Sequence, residues 1–263
     1  MGFLEKTLII ADMIGLFLVT RYPYFDLFCL LMRMGSKADT VKMKVDSIFD
    51  TLRPEYLSFY LNGAIFFVCG TAMTLDMRRR TFGIVSAFHI FISAILLCFE
   101  NQRWSEFMMV KVVARAVGVI GGYLFVAGGL TDSMRGYAKI SHFLHTGRQV
   151  LALYLFYNAY MIWISQEEKI ALVKHIPGGV VMLIVVVVIY VACGLCIYGG
   201  YEAGYFGKLA AWLITVITVI VDFDVKFWYK SESHVEYWTQ ILLASRNISV
   251  VGALLLLGRK RHW

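Results

Sequence analysis

The stretch "WTQILLASRNISVVGALLLLG", residues 238–258, decides how the chain is read. It is long and apolar enough to cross a bilayer core, which takes about 20 residues of helix. Yet Arg246 and Asn247 stand near its middle. A membrane interior offers no partner to backbone N–H and C=O groups, so a span must satisfy them within itself. The segment is therefore a helix, and its charge must be paired, exposed to a polar cavity, or led to an interface.

Outward from this stretch the whole chain has the same character. Of 263 residues, 59% are hydrophobic and 16% charged, and only 3 are proline. Mean hydropathy is +0.69, beyond the balance of a soluble globular domain. Windows of bilayer length predict about eight spans, near 7–22, 56–75, 82–99, 111–130, 149–165, 178–198, 205–222 and 238–258. The first is interrupted by Asp12 and is expected to break or kink at Pro23 in "TRYPYF". No segment alternates with the strand period, so the fold class is an all-α integral membrane protein.

The net charge of +7 gathers in "MRRR" (77–80) and "GRKRHW" (258–263), which abut spans. Such clusters act as topological anchors and do not point to nucleic acid. The positive-inside rule then places both termini in the cytosol. Lys37, Lys42, Lys44 and Arg53 in the first long loop oppose that orientation. The amino terminus lacks the features of a cleaved secretory signal, and Lys6 stands where a myristoylation motif has Ser or Thr. Asn247-Ile-Ser249 is formally a glycosylation sequon, but inside a span it is expected to be unused.

The chain also resembles itself. "CGTAMTLDMRRRTFG" (69–83) aligns with "CGLCIYGGYEAGYFG" (193–207), and the same offset pairs Trp104 with Trp228. "ARAVGVIGGYLFVAG" (114–128) aligns with "SRNISVVGALLLLGR" (245–259), bringing Arg115 onto Arg246 and Gly121 onto Gly252. These matches predict two tandem four-helix units, 1–131 and 132–263, in parallel orientation. Ala114, Gly118 and Gly122, like Ser245, Ser249 and Ala253, recur every four residues. Each series forms a stripe against which another helix can pack closely. Beside the stripes, Arg115, Arg246 and Asn247 are candidate ligand-binding residues for a lipid phosphate or another anion. The bland alternative pairs each arginine with a carboxylate, for which Asp12, Asp222 and Asp224 are the candidates, or lets it snorkel. Arg115 is expected near a helix end.

Other chemistry is weakly marked. "CGLC" (193–196) has dithiol spacing, but an apolar setting without a cation stabilises no thiolate, so packing is the simpler role. The five cysteines all fall in apolar segments. His142 and His145 lack a third ligand, and His89 reads as a core histidine. "HIPGG" (175–179) is a helix-end turn. Trp104, Trp212, Trp228, Tyr237 and Trp238 fit interfacial belts. No catalytic constellation, metal site or cofactor motif is expected.

In order and spacing "LVTRYPYF" (18–25), "RAVGVIGGYLFVAGG" (115–129), "HIPGG" and "VEYWTQ" (235–240) resemble the transmembrane protein 101 family over most of the chain. The resemblance implies a polytopic membrane protein with a suggested link to NF-kappa-B signalling. "YLNGAIFFVCGTAMTLDMRRRTFGIVSA" (60–87) is also similar to helices of DoxX-like four-helix bundles. Two functions are expected from different classes. The first is a non-enzymatic scaffold or accessory subunit that binds membrane lipids and a membrane-protein partner through the long first loop and the Trp228–Tyr237 loop. The alternative is a lipid or small-molecule transporter with its site between the repeats around Arg246. The endoplasmic reticulum is preferred over the plasma membrane, since no folded ectodomain is apparent.

Overall fold

The computed structural model describes residues 3–41, 54–100, 105–130, 141–230 and 235–257. Among the described residues every element is helical: α1 Phe3–Val41, α2 Pro54–Thr74, α3 Arg79–Glu100, α4 Glu106–Ala127 and α5 Ser141–Ile164. These are followed by α6 Gln166–His175, α7 Gly179–Gly199, α8 Ala203–Ile217, a π-helical turn Thr218–Asp222, α9 Val225–Lys230 and α10 Tyr237–Leu257. "GRKRHW", Trp104 and positions 42–53 of the first long loop lie outside the described residues.

Six described helices are long and apolar enough to cross a bilayer, within α1, α3, α4, α7, α8 with its π turn, and α10. The expectation of about eight spans is not met on that measure. The apolar part of α2 is shorter, Phe59–Thr74, and α5 is not among the six. In α5 the polar residues His142, His145, Arg148, Gln149 and Asn158 dilute the apolar run.

The expected break at Pro23 is absent. α1 continues through it, and its apolar span runs Ile10–Gly35. Proline forfeits one backbone bond, but bundled neighbours make this tolerable inside a membrane. The uninterrupted helix carries Asp26 and Arg33 into the bundle, both of them buried.

Helices α1 to α4 pack in chain order, each on the next, and α4 also meets α1. Helices α5, α7, α8 and α10 do the same, and α10 also meets α5. Three joints tie the groups together: α1 against α10, α5 against α4, and α4 against α10. One apolar core runs through all of them.

Glycines make the close approaches possible. A Cβ added at Gly15 would lie 2.7 Å from the Gly252 carbonyl oxygen, and one at Gly252 would lie 3.0 Å from that of Gly15. At the α4–α5 joint, a Cβ on Gly147 would stand 3.0 Å from the Gly121 oxygen, and one on Gly121 3.3 Å from the Gly147 oxygen. No larger residue permits such backbone contact. The small-residue stripes pack together at the α4–α10 joint, where a Cβ on Gly118 would meet Val250 at 2.7 Å and one on Gly122 would meet Ala253 at 3.0 Å. Ser245 and Ser249 are buried, whereas Ala114 is half-buried.

Candidate functional site

Arg115 and Arg246 occupy matching depths, each nine positions after the first residue of its helix. At 1.5 Å per residue this is about 14 Å in, near the middle of a membrane helix. Arg115 is therefore not at a helix end, contrary to expectation. Both guanidinium groups are buried, with Arg115 5% and Arg246 2% exposed.

Their surroundings differ. α8 ends in the π turn Thr218–Asp222, a widened turn that delivers the Asp222 side chain into the bundle. Arg115 donates through NH2 to Asp222 Oδ1 at 2.8 Å. Asn247 Nδ2 donates to the other carboxylate oxygen, Oδ2, at 2.8 Å and to Thr218 Oγ1 at 3.0 Å. Tyr154 OH donates to Asn247 Oδ1 at 2.7 Å, and Gln240 Nε2 to the Asp222 backbone oxygen at 2.9 Å. Trp228, fully buried, donates to the Val221 carbonyl at 3.0 Å. Both Asp222 oxygens are thus used, although Arg115 NH1 has no partner. Trp228 is neither an interfacial belt residue nor a free surface for a partner, because burial removes it from both roles.

Among the described residues no acid bonds Arg246, which donates from NH1 to the Val112 carbonyl at 3.1 Å while its Nε–H has no partner. The carboxylate nearest in role is Asp26 on α1, which sequence reasoning missed because that segment read as a break. Tyr22 OH donates to Asp26 Oδ1 at 2.6 Å, while Asp26 Oδ2 is unpartnered. Arg246 and Asp26 both line a small cavity of about 50 Å³ between α1, α2, α3 and α10. Arg33, Asn62 and Ser93 add polar lining, and Ser93 Oγ donates to Asn62 Oδ1 at 3.4 Å. The wall includes Leu96, which is 42% exposed on the outside of the bundle.

The remaining candidates are placed elsewhere. Asp12 lies fourteen positions before Asp26 on α1, about 21 Å along the axis. Asp224 accepts from His175 Nε2 at 2.9 Å, and this bond chiefly holds its carboxyl below the usual range. In the same region Lys111 pairs with Glu168 and stands 3.8 Å over the Trp228 ring. These contacts fasten the polar helix α6 to the bundle. Gly194 of "CGLC" packs against the Phe156 ring, where a Cβ would come within 2.7 Å. Packing thus accounts for the glycine inside that motif. His89 stacks edge-on against Phe66, and His145 Nδ1 lies 3.1 Å from Arg148 NH2. Among the described residues no cluster of three His, Cys, Asp or Glu could hold a metal.

A family model matches residues 4–260, nearly the whole chain. The chain belongs to the TMEM101 protein family. No solved structure matches. The family model thus covers both arginine-bearing helices, α4 and α10, and all of α1 after its first residue.

Proposed function

We propose that this TMEM101 family member is a non-enzymatic membrane protein whose working site is the cleft at Arg246, and that it binds or carries a lipid or small anionic molecule there. The observation that carries this reading is the pairing of a 98% buried, incompletely bonded guanidinium with a cavity walled partly by an exposed leucine. A charge at that depth is costly unless something meets it. At Arg115 the protein supplies the partner itself. Loss of bound lipid or of substrate uptake in an Arg246→Leu protein that still folds supports the proposal, and unchanged binding and uptake contradict it.

The accessory-subunit reading rests on the same architecture, with lipid in the cleft acting as structural filler. Purification from native membranes in mild detergent separates the two. A lone chain carrying one lipid supports the binding reading, whereas a stoichiometric membrane partner supports the subunit reading. A link to NF-kappa-B signalling would then run through that partner.

Counting α2 and α5 as crossings gives eight passes. Arg78, Arg79 and Arg80 then share a face with both termini, the cytosolic one by the positive-inside rule. Both arginines lie toward the opposite side. The endoplasmic reticulum remains the preferred compartment.

A further inference from the structure

The glycine contacts repeat in register. Gly15 meets Gly252 as Gly147 meets Gly121. A Cβ on Gly83 would lie 3.2 Å from the Tyr123 oxygen, and one on Gly207 2.8 Å from the Leu254 oxygen. Gly70 packs on the Tyr24 ring as Gly194 packs on the Phe156 ring. In every pair, one constant offset per helix carries the first contact onto the second: α1 onto α5, α2 onto α7, α3 onto α8 and α4 onto α10. The inter-group joints obey the same exchange, since α1 on α10 maps to α5 on α4 and α4 on α10 maps to itself. This is the contact pattern of two copies about a pseudo-two-fold axis between α4 and α10.

The same offsets compare the two arginine sites residue by residue. Arg246 corresponds to Arg115, and Tyr22 to Tyr154. Asp222, which fills the Arg115 site, corresponds to Cys98. The cleft residues Asn62 and Ser93 correspond to Val186 and Ile217. One copy is closed by an acid of its own and carries Val186 and Ile217 where the other has Asn62 and Ser93. The other lacks that acid and has Asn62 and Ser93 among the residues that line a cavity.

We infer that the chain is a duplicated four-helix unit in which the Arg115 copy of the site is filled by Asp222, while the Arg246 copy receives the carboxyl group of a long-chain amphiphile. This rests on the binding reading above and names its ligand. The chemistry follows from the charged residues that line the cavity, Arg246 with an unpartnered Nε–H, Asp26 with an unpartnered Oδ2, and Arg33 as a second cation. A carboxylic acid offers the complement, its carbonyl accepting from Arg246 and its hydroxyl donating to Asp26. A phosphodiester offers only acceptors and would leave Asp26 Oδ2 without a donor. Size agrees, because a cavity of about 50 Å³ has room for a carboxyl group. Leu96 leads the alkyl chain out to lipid.

The test is photolabelling of the purified full chain in mild detergent with a photoactivatable palmitic acid, competed by palmitic acid, methyl palmitate, acetate and a phospholipid. Palmitic acid should compete, and methyl palmitate and acetate should not, since one lacks the donor and the other the chain. The double variant Asn62→Val with Ser93→Ile copies the closed half, and Cys98→Asp supplies its acid. Each should reduce labelling about tenfold or more, the loss expected when a charge-assisted bond is blocked. Should Cys98→Asp fail to fold, the double variant decides. Labelling unchanged in the double variant, or equal competition by the methyl ester, overturns the inference. Retention of a phospholipid that the double variant loses, without palmitic acid competition, overturns the carboxyl assignment and leaves the binding reading standing. No lipid of any kind at the cleft overturns both.

Discussion

Replacing Asp222 with Asn tests the contrast between the two arginines. The substitution keeps the shape of the side chain and removes its charge, leaving Arg115 buried without an acid. The two side chains are only 6% and 3% exposed, and their contact is 2.8 Å. Breaking a buried pair from one side costs about 3–5 kcal/mol, because the surviving charge keeps its desolvation penalty. For a chain of this size that corresponds to a fall in melting temperature on the order of 10 °C, read by thermal unfolding in mild detergent. Removing both charges together, with Arg115→Leu and Asp222→Leu, should recover most of the loss, since no charge is stranded. Arg246→Leu should cost less than Asp222→Asn, because it removes a bond to a carbonyl and no direct ion pair. A single Asp222→Asn variant that melts with the wild type, or a double variant as unstable as the single, would refute this reasoning.

Gly252→Ala and Gly121→Ala should each destabilise by about 1–3 kcal/mol, since their Cβ atoms would meet Leu18 Cβ at 2.7 Å and Leu151 Cγ at 2.9 Å. Gly35→Ala, inside α1 with nothing within 4 Å, should instead stabilise by up to about 1 kcal/mol in the same melting assay. Lys111→Met removes both the Glu168 pair and the cation over Trp228, and should loosen α6 so that limited proteolysis cuts there first. The Asp224 carboxyl is held below its unfolded value, so its contribution is present above about pH 4 and is lost as pH falls through the folded value. The stability gap between wild type and Asp224→Asn should therefore narrow between about pH 5 and pH 3, and a gap that widens toward acid contradicts the assignment.

Much of the fold was legible because lipid leaves a chain few options. Hydropathy alone located α3, α7, α8 and α10 to within a few residues. Arg115 and Arg246 were visible as charges inside apolar runs, and Asp222 was among the candidate acids. Its delivery through a π turn was not readable, since nothing in "TVIVD" distinguishes a π turn from an α one. The largest miss came from Pro23. Taking it as a break removed Asp26 and Arg33 from the membrane and hid half of the Arg246 cleft. Tertiary packing overrides the local penalty there, and no local signal reports that. The offset linking α1 to α5 was equally hidden, because it rests on the Gly15 and Gly147 backbone contacts rather than on a run of shared letters.

The most direct test is an experimental structure of the chain in a lipid nanodisc. Density is expected in the cleft beside Asn62 and Ser93, with an oxygen about 3 Å from Arg246 Nε and an alkyl chain leaving past Leu96. A closed cleft in which Asp26 bonds directly to Arg246, as Asp222 does to Arg115, would contradict it.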